Sequence, residues 1–381
     1  MTEYIYTADD YGPVEFINNG IIQGVKAGLV NSVQVLTNFD RGLLEMSLME
    51  LSKVVLDGKE LELGVHLTMT SGKPLTLVEG VFSASEWHGF LDEKDNFYDL
   101  SYYSFKHKEF LRQLAGEFSA QRDRLLDAVE SVNKRLGNEK LKVTVISNHH
   151  NLVSIDFELL KVYLNTATIT DNNGKVIKRL ACRTTNFKPT ESSKLYFGLA
   201  IFLKPVFKKR QENLKSTNNK LRNKIIELNN GYLKYKVPGN KDVTFQTSLY
   251  SDMTFYRVLG SKSWWMRYAW LRYLGGFNNR QKKKLVKMYE RAVGHKTGRE
   301  VNNNAKRVFE FIFHLGDVSN NNYLTQKDLD QFYPGITVKY FDDRQLELQT
   351  LLTCTDIIRA TSRSSWKDTP MVTFHATGIN Y

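Results

Sequence analysis

Cysteine is scarce in this chain of 381 residues: the two present, Cys182 and Cys354, stand far apart. They provide neither a disulfide framework nor a metal-binding spacing, and they suit buried thiols in a reducing compartment. Long apolar runs are missing as well; none reaches the roughly 18 to 20 residues that a membrane span needs. No cleavable signal is expected, because acidic residues begin at Glu3 and a carboxylate pair follows at Asp9 and Asp10. The expectation is a cytoplasmic protein. Internal repeats and low-complexity tracts are absent, and the Asn-rich pieces at 302–304 and 320–322 are short enough to be turns. What is present suffices for a packed core, since 41% hydrophobic and 12% aromatic content exclude a disordered composition. The length allows two or three domain-sized units, although a barrel of about 250 residues can form one domain.

Acidic residues are also scarce in one region. Residues 204–300 hold 23 Lys/Arg against 6 Asp/Glu, whereas the remainder holds 30 against 35. The net charge of +12 therefore comes entirely from one block.

The chain opens on Tyr4-Ile-Tyr-Thr-Ala-Asp-Asp-Tyr-Gly12, a strand running into two aspartates and a turn at Tyr11-Gly12-Pro13. Side chains alternate along a strand, so Asp9 and Asp10 are expected on opposite faces with separate tasks. One could hold a metal while the other handles a water, although on this stretch alone a pair that caps a following helix is the plainer reading. Helical spacing follows over 14–29, a strand over 32–36, a helix over 43–56 and a strand over 61–68. In that strand Leu63, Val65 and Leu67 oppose Gly64, His66 and Thr68. Residues 71–105 read as a long loop over a site, and 110–136 as a long amphipathic helix. Strands are expected over 142–148, delivering His149 and His150, over 180–183, and over 308–316. A terminal helix is expected around 343–352. Strands alternating with helices at this spacing argue for an α/β fold with a parallel sheet.

Asp10, His66, His149 and His314 each fall at or just past the end of a different expected strand. In parallel α/β folds those ends converge on the active site. One carboxylate and two imidazoles make a workable ligand set for a catalytic divalent ion.

These stretches carry a family resemblance. Thr7-Ala-Asp-Asp-Tyr-Gly12, Leu63-Gly-Val-His-Leu-Thr68, Ser147-Asn-His-His150 and Glu310-Phe-Ile-Phe-His-Leu-Gly316 resemble, in order and approximate spacing, the motifs of the YdjC-like carbohydrate deacetylases. Arg344-Gln-Leu-Glu347 is similar to that family's closing Arg-x-x-Glu-Leu helix. The resemblance covers about residues 3–187 and 300–352. It implies a (β/α) barrel-like fold, in a distorted or incomplete form, and metal-dependent hydrolysis of the N-acetyl group of a sugar. Asp10, His66 and His149 would hold the metal, Zn²⁺ or Mg²⁺; Asp9 would be the general base and His314 the general acid. Read from the residues themselves, Arg183 is a nearby donor that could stabilise the developing oxyanion or could form a surface ion pair, and Glu310 could orient His314 or only cap a turn. Family members read Asp-Ser-His-His-His near the fourth strand where this chain has Ser147-Asn-His-His-Asn151, and Pro where it has Leu315. These departures bear on substrate preference, since the metal and acid–base residues are retained. Competing functions are a non-catalytic glycan- or lipid-binding protein with a vestigial site, and a metal hydrolase of another bond.

The expected organisation is a catalytic domain from 1–187 and 300–381, interrupted at 188–299 by a helical, basic, aromatic-rich insertion. Its segment Lys262-Ser-Trp-Trp-Met-Arg-Tyr-Ala-Trp-Leu-Arg-Tyr-Leu274 lies between Lys208-Lys-Arg210 and Lys282-Lys-Lys284. Such composition suits an interfacial helix on an anionic membrane, at the inner face. It also suits a helical lobe with a solvated basic face. Nucleic acid is the least favoured partner. An N-acetylated saccharide is the expected substrate, lipid-linked or nucleotide-linked among the candidates, and a homodimer is one expectation for the assembly.

Overall fold

The computed structural model describes residues 2–97, 107–149, 157–171, 173–185, 225–227, 232–235, 243–248 and 307–317, with residues 344, 345, 348 and 352. Its first half alternates strands and helices: β1 (Thr2–Tyr11), α1 (Glu15–Lys26), β2 (Ser32–Val35), α2 (Arg41–Val54), β3 (Leu61–Leu67), the short α3 (Leu75–Val78), α4 (Leu111–Leu136) and β4 (Leu141–Asn148). Next come α5 (Phe157–Thr166), a hairpin of β5 (Thr168–Thr170) and β6 (Val176–Arg179), and β7 (Ala181–Thr185). Later strands are β8 (Ile225–Glu227), β9 (Tyr232–Tyr235), β10 (Val243–Ser248) and β11 (Arg307–Phe313).

Nine strands form one sheet in the order β11-β1-β2-β3-β4-β7-β10-β9-β8. From β11 to β10 every ladder is parallel, and β9 and β8 add an antiparallel edge. Among the described strands no ladder joins β11 to the other edge, and these strands by themselves form no closed barrel. Even so, β10 comes close to β11, and the sheet curls towards closure. The last described strand thus lies beside the first, which brings residues over 300 positions apart into one site.

Packing explains why these segments take these forms. Every residue of β3 is buried, as expected of an inner parallel strand covered on both faces. Helix α1 turns Phe16, Ile17, Ile21 and Val25 into the core, and α4 does so with Leu114, Phe118, Leu125, Val129 and Val132. Full burial of such side chains stabilises by roughly 1.5–3 kcal/mol each before chain entropy is subtracted. Asp40 caps α2 by accepting from Leu43 N at 2.9 Å. Gly137, at φ 62°, ends α4 in the left-handed conformation that glycine adopts without strain.

Residues 71–97, the described part of the expected loop at 71–105, are rich in turns but also hold the short α3 and an aromatic cluster in which Trp87 packs on Phe90, Phe97 and, beyond the loop, Phe110. Aromatic burial, invisible to periodicity, folds this stretch onto α4. Within 188–299 the described elements are strands rather than helices, and β10 pairs with β7 in the main sheet. The aromatic-rich stretch 262–274 lies outside the described residues.

Candidate metal centre

The site lies along the C-terminal ends of the parallel strands, where ligands meet α/β sheets. β1 brings Asp9 and Asp10, β3 His66, β4 is followed at once by His149, β7 brings Arg183, and β11 is followed at once by His314.

Asp10 has φ +73°, left-handed backbone that a non-glycine residue adopts at a cost of order 1–3 kcal/mol. The β1–β2 ladder slips between Ala8 and Tyr11, a bulge at the same place. The expectation of opposite faces is therefore overturned. The bulge cancels the alternation and turns both carboxylates into one cluster. The chain beyond it is clamped: Gly12 N donates to Asn18 Oδ1 at 2.8 Å, Asn18 Nδ2 donates to Gly12 O at 2.7 Å, and Tyr11 OH donates to Ser47 O at 2.6 Å.

Each aspartate has its own arginine. Arg183 donates to both oxygens of Asp9, at 2.7 and 2.6 Å, and Arg344 donates to Asp10 Oδ2. All four side chains are buried. Burial alone would raise the Asp9 carboxyl, but the charge of Arg183, with His66, the Arg183 hydrogen bond and His314, brings it below the usual value. Burial likewise opposes ionisation of Asp10, and Arg344, His149 and His66 hold it well below the usual range. Both carboxylates are ionised at neutral pH.

Asp10 Oδ1 is the pivot. It is buried and receives no hydrogen bond, yet His66 Nε2 lies 3.1 Å and His149 Nε2 3.5 Å away. The two rings meet edge to face with centroids 5.4 Å apart. One donor atom from each of Asp10, His66 and His149 lies within 4.8 Å of the others. On the far side of each ring, Nδ1 is engaged by hydroxyls. His66 Nδ1 is 2.7 Å from Ser147 Oγ; His149 Nδ1 is 3.0 Å from Thr70 Oγ1 and 3.4 Å from both Thr68 and Ser71 Oγ atoms. Burial lowers the His149 pKa to about 4; Asp10 opposes this, while His66, His314 and Arg344 add to it. A buried carboxylate oxygen without a donor, faced by two imidazoles held from behind, fits a divalent cation.

Of the residues singled out from sequence, Asp9, Asp10, His66, His149 and Arg183 come together here. His314 lies near enough for its charge to lower both Asp9 and His149. The chain just beyond it packs closely on α1: a Cβ on Gly20 would fall 2.5 Å from the backbone of Gly316, two residues after His314. Arg183 engages Asp9 rather than standing ready as a separate donor. Glu310 lies on β11 opposite Ile5; its side chain, and with it the expected role towards His314, falls outside what the structure describes. His150 does too. Sequence reading saw Arg344 only as part of a closing helix and missed its bond to Asp10. It also missed Gln34, Glu117 and Gln121, which support the ligands from behind. The available signal was a glutamine between two valines in the short β2 and two polar residues one turn apart on the buried face of α4.

Fold and site together define an α/β protein with a buried carboxylate–imidazole centre suited to a divalent cation. Residues 4–133, which bring Asp9, Asp10 and His66, match the YdjC-like protein family. It is 36% identical over 72 residues to a carbohydrate deacetylase of Vibrio parahaemolyticus, covering 19% of this chain and 26% of that protein. With a carbohydrate deacetylase of Thermoanaerobacter pseudethanolicus it shares 28% over 90 residues, 24% of this chain and 34% of that one. The matched parts span about a quarter to a third of these relatives. A crystal structure from Enterococcus faecalis V583, of a protein provisionally described as acting in cellobiose-phosphate cleavage, has the same fold. Its TM-score is 0.50 at 18% identity, over 96% of this chain and 98% of that one.

Proposed function

We propose that the chain is a metal-dependent deacetylase that hydrolyses the N-acetyl group of an N-acetylated sugar. The observation that carries this is the buried Asp10–His66–His149 trio, with Asp10 Oδ1 left without a donor between two imidazoles. The names of the matched relatives support the reaction class. Asp10, His66 and His149 would hold the ion. A divalent ion bound there supplies Lewis acidity, polarising the amide carbonyl and acidifying a nearby water.

The chain's own residues do the rest. Asp9, ionised and next to the trio, accepts the proton of the attacking water. Arg183 occupies both Asp9 oxygens but leaves them further lone pairs, so it aims the carboxylate without blocking it. The same arginine weakens Asp9 as a base, a cost that acidification of the water offsets. His314, at the end of β11, donates a proton to the departing amine. The His149 imidazole, neutral at working pH, is ready to ligate without first losing a proton. Lipid-linked or nucleotide-linked sugars suit the basic block at 204–300, which would favour a phosphorylated carrier or an anionic membrane.

Acetate release from free, nucleotide-linked and lipid-linked N-acetyl sugars, before and after chelation, tests the proposal. Asp9→Asn should keep the metal and lose at least about 10²-fold in turnover, whereas Asp10→Ala should lose both. Absence of metal-dependent acetate from every sugar would sink the reading.

A further inference from the structure

We infer that Gln34 is a positioning residue for His66. Acting through Ser147, it holds the imidazole by its Nδ1–H and leaves Nε2 to ligate an ion beside Asp10. The argument is a count of protons along one chain of contacts. Ser147 Oγ has a single proton to give. It lies 2.6 Å from Gln34 Oε1 and 3.5 Å from Val65 O, both of which can only accept. Its proton is therefore committed away from His66. The remaining contact, to His66 Nδ1 at 2.7 Å, is one in which the hydroxyl accepts and the ring donates. A neutral ring protonated at Nδ1 has its lone pair at Nε2, and Nε2 is the atom 3.1 Å from Asp10 Oδ1.

The fold makes room for this arrangement. The whole relay is buried: Gln34, His66 and Ser147 are 0%, 2% and 0% exposed. A Cβ at position 64 would fall 1.9 Å from Gln34 Oε1, so glycine in β3 is what lets the amide lie across the strand to Ser147. The amide nitrogen is turned the other way, to Ser32 Oγ at 3.3 Å, which leaves the oxygen facing Ser147. Without Gln34, Ser147 could rotate its proton towards His66 Nδ1, and the ring would then carry its hydrogen on Nε2, where it cannot ligate.

The inference rests on the metal reading of the site but not on the substrate, and its test uses none. The full chain, labelled with ¹⁵N-histidine and loaded with Zn²⁺, is examined by NMR, and Zn²⁺ affinity is measured by competition with a chelating dye. In the unmodified protein His66 should ligate through Nε2, with its Nδ1–H visible and protected from exchange with water. Gln34→Leu and Ser147→Ala should speed that exchange and weaken Zn²⁺ binding about tenfold or more. Gln34→Glu, which keeps an acceptor, should retain both. Ligation through His66 Nδ1 in the unmodified protein, read from the ring ¹⁵N shifts, overturns the inference whether or not any variant folds. So does a folded Gln34→Leu chain with unchanged exchange and unchanged Zn²⁺ affinity.

Discussion

Asp10 accepts a left-handed backbone, full burial and an oxygen with no donor, three costs at one residue. Clustering of such costs is what a functional position looks like when its neighbours are strong enough to enforce it. His149 shows the same economy and gives a prediction. Its pKa in the folded chain is about 4, whereas an imidazole in an unfolded chain titrates near 6.5. Between those values the unfolded chain binds a proton that the native chain refuses. Stability of the metal-free protein should thus fall as pH drops from about 6.5 towards about 4, by roughly 3 kcal/mol in all. Asp9 and Asp10 act later: their pKa values are lowered, so their contribution is complete above the unfolded carboxylate value and is lost only as pH falls through the folded ones. Urea midpoints of the chelated chain at about pH 7.5 and about pH 5 should differ, and His149→Gln should flatten the difference. Equal midpoints in the unmodified chain would refute it. That Asp9, Asp10, His66, His149 and His314 lie towards one end of the sheet could be read from sequence because they fall at the ends of expected strands. How the aspartates are oriented could not. Alternation rules assume unbroken strand geometry, and the bulge at Asp10 breaks it where the chemistry is.

At the level of elements, α4 acts as a brace for the end of β3. Gln121 accepts from Thr68 N and donates to Thr68 O, both at 2.9 Å, which fixes the backbone carrying the hydroxyls around His149. Glu117, one turn earlier, receives Gln121 Nε2 at 2.7 Å and also binds Leu75 N, Thr76 N and Thr76 Oγ1. All four partners are donors, so both Glu117 oxygens must be acceptors. Burial raises its pKa, against the pull of those hydrogen bonds. Glu117→Gln should therefore harm the protein despite its matching shape: an amide NH₂ would face donors on either side. A loss of about 1–3 kcal/mol is expected, by the cost of buried groups left unpaired. Denaturant titration checks the loss, and a Zn²⁺ titration should show weaker binding as the Thr68–Thr70 cage loosens. A Glu117→Gln chain as stable as its parent would remove α4 from the account of the site. The helix itself was legible, because its apolar residues recur at helical spacing. Its brace was not, since it depends on which polar residue faces which strand end. The hairpin β5–β6 and helix α5 escaped for another reason: they are short crossover elements between β4 and β7, with too few residues to set a period.

Charge is partitioned over the whole molecule, and the partition has a measurable consequence. Residues 204–300 carry an excess of 17 positive charges by count of Lys/Arg over Asp/Glu, while the rest of the chain is slightly acidic. The described strands from this region, β8, β9 and β10, extend the sheet beyond β7, so the basic sequence is continuous with the fold that holds the site. No helix among the described residues is long and apolar enough to cross a membrane. Association with a bilayer, if it occurs, would then be peripheral: each Lys/Arg near an anionic surface contributes about 1 kcal/mol, and Trp264, Trp265 and Trp270 would add apolar contact. A few engaged cations suffice, and the electrostatic part must weaken as the Debye length shrinks from about 10 Å at 0.1 M salt to about 3 Å at 1 M. The full chain should sediment with phosphatidylserine-containing vesicles at low salt, stay in solution with neutral vesicles, and be released progressively by added salt. Replacing the three tryptophans with alanine should lower whatever binding survives at high salt more than it lowers binding at low salt. A chain that remains in the supernatant with anionic vesicles at low salt would leave the basic block to a soluble role, and would favour a nucleotide-linked or free sugar over a lipid-linked one.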